Sequence, residues 1–490
     1  MKKLSKKVLL AIGLSLTGLS GAFAQQDGTG NDQIWSLEEA LNYAKANNLQ
    51  VRQSKINRDL ASTDLKLSKF GRLPSINGSG SYSINNGTNI DPATYDIRTQ
   101  QTRSSSVSVS GSLPLFAGFQ QVNTIKQNSL ELQASEQDIL SVQNDITIQI
   151  VTAYLNILFA DELMKTNQLQ RNTTQQQLER TQILFRAGSV AENDVLDLQS
   201  QLATDELNII TAKNQLDIAK LNLIQLLNLD NPDNIEVEIP ELPEPDLEPA
   251  ISDPNQVYDV AIQTLPAIKA ADVRVLSANK GLDIARGAYL PRLSLNAGIN
   301  TFYSSRSYLL RELEDGETIY TQQLVGFLDE ARTQPFSLYV PQGSAEQIDY
   351  SLKDQFKDNI GNQFSLSLQV PIFNGLQTRI NVERAKISQQ NAKLNADIAR
   401  NNLRQTIEQA AVDTRAAQLR YVASKQQLAA SEKSYQNAQL RLNAGVINSV
   451  DFNIIANTFR SAQSSLLQAK YEYIFKLKIL DFYEGKDLSF

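Results

Sequence analysis

The chain contains no cysteine and no histidine. The first absence excludes disulfides, thiolate metal sites, a cysteine nucleophile and a lipid anchor on an N-terminal cysteine. The second removes the commonest general base and the commonest metal ligand. Carboxylates remain, but none has the spacing of a calcium loop, and no Gly-x-x-x-x-Gly-Lys phosphate loop occurs. These residues argue against an enzyme and predict no cofactor and no metal site. Tryptophan occurs once and apolar residues make up 41% of the chain, a composition that suits long, solvated elements better than compact ones. Basic residues are outnumbered, 46 against 53 acidic, which disfavours a nucleic-acid partner. Beyond residue 24 no apolar run approaches the roughly 20 residues of a membrane-spanning helix.

What is present begins with a leader. Residues 1–24 read as a secretory signal peptide: Lys2, Lys3, Lys6 and Lys7, then an apolar stretch, then Ala22-Phe23-Ala24 as the cleavage site. Its loss removes four lysines and no acid, leaving 42 basic against 53 acidic residues, a net of −11. An exported chain that enters a membrane without a spanning helix does so as a β-barrel.

The strongest pattern is an internal repeat, the feature to seek first in any sequence. Pro114-Leu115-Phe116-Ala117-Gly118 returns 257 residues later as Pro371-Ile372-Phe373-Asn374-Gly375, and Ala187-Gly188 returns at the same offset as Ala444-Gly445. Upstream segments repeat at offset 217, Leu73-Pro74 matching Leu290-Pro291. Between corner and tip the chain is proline-free. The pattern predicts helices over 120–186 and 377–443, each about 100 Å long at 1.5 Å per residue. From Ile407 to Leu442, apolar and small residues step alternately by three and four, a coiled-coil seam. Gly188 and Gly445 end these helices, and returning helices over 192–227 and 449–482 make αα-hairpins.

Before each Pro-x-Phe-x-Gly the period falls to two. Ser106, Ser108, Ser110 and Ser112 alternate with Val107, Val109, Gly111 and Leu113, the mark of a strand with one wet and one apolar face. Its partner strand lies over 76–84, with a loop over 85–103. In the second half the strands fall within 292–370 and enclose a long inserted loop, 302–360. Ser36 and Glu39 form a capping box for the first helix, and Pro266 takes an N1 position. The domain plan is a first repeat at 25–229 (helix, strands at about 75–113, long helix, returning helix), a Pro- and acid-rich linker at 230–253, and a second repeat at 254–490. Four strands cannot close a barrel, since bacterial outer-membrane barrels have at least eight. Two chains would supply eight strands and three would supply twelve.

The doubled corner motif, the Ala-Gly tips and the leader together resemble the TolC family of outer-membrane channel-tunnel proteins over nearly the whole mature chain. The resemblance implies a mainly α, internally duplicated fold of long antiparallel helical-barrel hairpins, with four strands per chain contributing to a trimeric 12-stranded outer-membrane β-barrel. It implies a passive exit duct of a tripartite efflux or type I secretion system in a Gram-negative type envelope, extending into the periplasm and contacting outer-membrane lipid. The partners it implies are a homotrimer, a periplasmic adaptor and an inner-membrane RND, ABC or MFS pump. A secreted coiled-coil scaffold or adhesin without a pore is the alternative. By the same resemblance, adaptor docking falls on Phe185, Gly188, Ser189, Val190, Arg441, Leu442, Gly445 and Val446. The periplasmic gate falls on Asp451 and its repeat equivalent Asp194; Ile454 stands where a second acidic ring is expected. Carboxylates on a first helical turn are also favoured by the helix dipole alone. The strand-to-helix corners are Pro114, Phe116 and Gly118, and Pro371, Phe373 and Gly375. The two phenylalanines suit either an aromatic girdle or packing at the corner.

Overall fold

The computed structural model describes residues 34–90, 97–229, 235–238, 244–246, 253–312, 319–328, 333–342 and 345–486. The signal peptide expected at 1–24 and most of the linker lie outside the described residues. A short strand β1 (Ile34–Trp35) leads into α1 (Leu37–Asn47) and α2 (Leu49–Phe70). The capping box is formed: the Ser36 amide donates to Glu39 Oε2 at 3.1 Å and the Glu39 amide to Ser36 Oγ at 3.3 Å. Then follow β2 (Ser75–Ile90), β3 (Ile97–Ala117), the long helix α3 (Gln120–Arg186) and its return α4 (Glu192–Leu227). After β4 (Glu236–Val237), which pairs in parallel with β1, the second half begins with α5 (Pro254–Thr264), α6 (Pro266–Gly287) and β5 (Arg292–Ser304). An inserted region holds β6 (Tyr308–Glu312), β7 (Ile319–Phe327), β8 (Pro335–Gln342), β9 (Ala345–Asp349) and α7 (Leu352–Asp358). The chain closes with β10 (Gly361–Gln369), α8 (Gln377–Asn443) and α9 (Ser449–Tyr483).

Strands β10, β5, β3 and β2 form one sheet in that order, all antiparallel. Alternation divides it into two faces. On one, serine hydroxyls face each other across β2 and β3, Ser79 to Ser108 at 2.7 Å, Ser81 to Ser106 at 2.8 Å and Ser83 to Ser104 at 2.7 Å. The other presents Val109, Leu295, Ile299, Phe364 and Leu366, all exposed.

Three expectations are corrected here. Residues 85–90 and 97–103, expected in a loop, are strand: β2 and β3 stay paired as far as Ile90 and Ile97, because backbone bonds sustain the ladder where the side chains no longer alternate in polarity. The inserted segment is not a loop either, since β6 pairs with β9 and β7 with β8. Its helix α7 closes the end of β5. The Gln355 amide donates to the Ser304 carbonyl at 3.1 Å and accepts from the Ser304 amide at 2.9 Å, replacing the backbone partner that β10 no longer supplies. Finally, Pro114 lies within β3, at a register shift between Pro114 and Phe116. A bulge absorbs the missing N–H, so the first corner falls at Gly118 and Phe119.

Both corners turn through two successive left-handed residues, Gly118 (φ 58°) and Phe119 (61°), then Gly375 (63°) and Leu376 (66°). Such backbone costs a non-glycine residue about 1–2 kcal/mol. Phe116 packs edge-to-face on Phe119, centroids 5.2 Å apart, whereas Phe373 is exposed. The first corner also abuts the end of α6, where a Cβ on Gly118 or Gly287 would collide with the other's carbonyl oxygen.

The chain forms two compact units, one from 1–44, 149–244 and 425–471, the other from 45–148, 245–424 and 472–490. Each gathers segments of both halves, so the units cut across the repeats at 25–229 and 254–490. In the first unit the Tyr154 hydroxyl donates to the Glu238 carbonyl beside β4, with the Trp35 carbonyl at 3.2 Å. Burial and the nearby Glu238 and Glu39 push its pKa up, so it remains a donor. In the second, Val257, Ile268, Leu403, Ile407 and Leu480 make an apolar core. Arg274 pairs with Asp138 and Arg400 with Asp272. Burial follows the seam of α8, with Ile407, Thr414, Ala417 and Tyr421 all buried. Contrary to the expectation of no long apolar run, α3 contains a window long and apolar enough to cross a membrane by length and composition. Half of it is inside the fold, and Ile146, Ile150, Tyr154 and Ile157 form its buried stripe.

Candidate functional site

Two hairpin tips, Arg186 to Glu192 and Asn443 to Ser449, carry the candidate residues. They close with the same hydrogen bonds. At the first, the Gly188 amide donates to the Phe185 carbonyl at 2.9 Å and the Ser189 amide to Leu184 at 2.9 Å. At the second, the Gly445 amide donates to Leu442 at 3.1 Å and the Val446 amide to Arg441 at 2.9 Å. This is the Schellman closure, which needs a left-handed residue at C′, supplied by Gly188 (φ 73°) and Gly445 (φ 70°). Open space surrounds both glycines. Phe185, Ser189, Arg441 and Val446 are exposed, while Val190 and Leu442 are half-buried.

The two aspartates differ in use. Asp194 is half-buried, and its Oδ2 accepts from the Ala191 amide at 3.2 Å, capping α4 from within because Ala191 has no side-chain acceptor. In α9 the roles are exchanged. Asn448 Oδ1 accepts from the Asp451 amide at 2.7 Å, so the side chain at the N-cap does the capping. The Asp451 carboxylate is exposed and has no hydrogen bond or ion pair among the described residues. Nor does any such bond join Asp194 to Asp451. Ile454 is 60% exposed, an apolar group where a carboxylate was expected.

Above the tips the hairpins diverge. In the first, Leu178, Val195, Leu198 and Leu202 pack together. The offset of 257 carries three of these onto Tyr435, Phe452 and Phe459, where Tyr435 stacks on Phe459 at 5.0 Å and lies 5.6 Å from Phe452. Aromatic pairs add about 0.5–1.5 kcal/mol each beyond the area they bury, so the second hairpin is held more firmly.

Sequence reasoning passed over Asp205. It is 2% exposed; Thr174 Oγ1 donates to it at 2.6 Å and Gln201 Nε2 at 2.9 Å. Burial lowers the pKa of Arg460, opposed by Tyr435 and Asp205. The signal was available: Asp205 continues the steps of three and four from Val195, Leu198 and Leu202, and its counterpart 257 residues on is Ala462. A charge in a seam whose copy carries alanine marks a polar contact in the helix interface.

With this geometry in place, comparison with known proteins is informative. The family model for outer membrane efflux proteins matches residues 40–229 and 257–483. Outer membrane protein TolC of Escherichia coli (strain K12) is 24% identical over 484 residues, covering 96% of this chain and 84% of that protein. Outer membrane efflux protein BepC of Brucella suis biovar 1 (strain 1330) is 20% identical, covering 96% and 88%. Among solved structures, CusC superposes with a TM-score of 0.72 at 18% identity over 92% of each chain, a likeness of fold.

Proposed function

The chain belongs to the outer membrane efflux protein family, and from that membership we infer that it is the outer-membrane exit duct of an efflux or type I secretion system. The observation that carries the reading is the sheet. One register is apolar and exposed, Phe364 at 79%, the other is hydroxyl- and amide-bearing, and β3 and β10 lead through the two corners into helices of 67 residues. A strand set with a lipid face and a wet face, continued by long polar helices, is built to cross the outer membrane and reach into the periplasm. Conductance of the purified protein in a planar bilayer tests it. Discrete channels are expected; a protein that never conducts is the scaffold or adhesin instead.

The assembly is a homotrimer, and the duplication supports the way it closes. Within the chain the second strand of the first half, β3, pairs with the first strand of the second half, β5. Repeating that step takes β10 onto β2 of the next copy. Large apolar side chains are exposed on both sides of that join, Leu67, Phe70 and Ile76 on one and Phe364, Leu368 and Phe373 on the other. Three copies supply twelve strands, an even number within the range of such barrels.

A periplasmic adaptor docks on the tips, at Phe185, Gly188, Ser189, Val190, Arg441, Leu442, Gly445 and Val446, and couples the duct to an RND, ABC or MFS pump. Asp451 lines the gate, and its exposed, unpaired carboxylate supports that role. Asp194 shapes the first tip through its cap. Three carboxylates at about 0.5 kcal/mol each amount to about tenfold in cation affinity. Asp451→Ala is therefore expected to weaken block by multivalent cations in bilayer recordings by about that factor, and unchanged block would remove Asp451 from the gate.

A further inference from the structure

We propose that Arg292 sets charge selectivity in the barrel segment of the duct, as a positive collar where barrel meets helices. The inference rests on the duct reading above. Arg292 shares its register on β5 with Ser294, Asn296, Gly298 and Asn300; their partners on β10 are two serines, a glutamine and a glycine, and Arg292 itself faces Gln369. On the β3 side, Asn296, Gly298 and Asn300 face Ser112, Ser110 and Ser108. Where three or more of the four strands pair, Arg292 is thus the one charged residue of this register among the described residues. The alternate register is apolar on β5, with Leu293, Leu295, Ala297 and Ile299.

Two cavities lie against the polar register. A cavity of 270 Å³ is lined there by Asn77, Ser110, Ser112, Asn296, Gln363 and Ser365. A larger one, 460 Å³, at the strand-to-helix corner takes in Arg292, Ser294 and Gln369 together with Gln120 and Phe116. In an outer-membrane barrel the apolar register faces lipid and the polar register is the inner wall. Arg292 is exposed and donates from its guanidinium to Gln120 Oε1 at 2.9 Å; that bond orients the charge without cancelling it. Arg292 forms no ion pair among the described residues, and from Asn296 to Asn300 the wall above it offers only hydroxyls, amides and glycines. A guanidinium recurring once per copy at one level favours anions passing through the ring, opposite in sign to Asp451 at the tips.

The test is the reversal potential across a planar bilayer in a potassium chloride gradient. Ionic strength is held at about 0.1 M or below, where the screening length is at least about 10 Å. Chains carrying Asp451→Ala serve as background, so that the tips do not mask the barrel. They are expected to favour chloride; adding Arg292→Gln should bring the chloride-to-potassium permeability ratio to near unity, while adding Arg292→Lys should leave it anion-favouring. Channels that conduct but whose ratio is unmoved by Arg292→Gln, or equally moved by Arg292→Lys, would overturn the collar. A wild-type protein with no current would instead overturn the duct reading, and the collar with it.

Discussion

Gly287→Ala is expected to destabilise the protein, although it replaces a poor helix former with the best one. Propensity alone favours alanine by about 1 kcal/mol, and Gly287 needs no left-handed backbone. The new methyl would meet the Gly118 carbonyl oxygen, with the Gln120 side chain at 2.8 Å. Because the first obstacle is backbone, relief requires moving α6 away from the corner, an overpacking cost of about 1–3 kcal/mol or more. Gly118→Ala adds about 1–2 kcal/mol for its positive φ and should be worse, about 2–5 kcal/mol. The internal control is Gly375→Ala. Gly375 has the same backbone twist but open space around it in the single chain, so only the conformational penalty applies. Unfolding midpoints in detergent decide the matter: Gly287→Ala equal to wild type, or Gly375→Ala as costly as Gly118→Ala, would show that the close approach of α6 does not hold the corner.

Tyr421→Ala should cost about 3–5 kcal/mol, the usual range for deleting a buried aromatic side chain. Tyr421 on α8 and Tyr473 on α9 are 1% and 0% exposed and stack with centroids 6.0 Å apart. Small residues flank them in the seam, Ala417 and Ser424 on α8 and Ala469 on α9, so little nearby could collapse into the void. The Tyr473 hydroxyl donates to the Asp246 carbonyl at 3.3 Å, tying the linker to the helix, and Tyr473→Phe should therefore lose only about 1 kcal/mol. Thermal melting followed by helix content separates the two cases; comparable losses for Tyr421→Ala and Tyr473→Phe would mean the stack contributes nothing beyond a hydrogen bond.

Much of this fold is legible in one dimension. Proline-free spans bounded by Pro-x-Phe-x-Gly and Ala-Gly coincide with α3 and α8 because helix interiors reject proline and left-handed glycine closes them. The seam from Ile407 was countable, since burial in a helical hairpin keeps a fixed period. Other features escaped for physical reasons. Beyond Ile84 the β2–β3 ladder has polar residues on both faces, so no alternation announced it. The approach of Gly118 to Gly287 joins residues 169 positions apart, and nothing local records it. At the tips, the glycines and both aspartates could be found from the repeat, but their division of labour could not. Whether a carboxylate caps its own helix or stands free depends on the residue three positions earlier, Ala191 in one tip and Asn448 in the other.

The outer strands of the sheet have a consequence for biogenesis. β2 and β10 each leave one row of backbone N–H and C=O groups without a partner in the described chain, and hydrocarbon offers those groups nothing to bond. A lone chain therefore has no settled place in lipid. In the homotrimer proposed above those rows would find their partners on neighbouring copies, so joining its sisters and entering the membrane would be one step, and no half-built duct would stand open to the cell's contents.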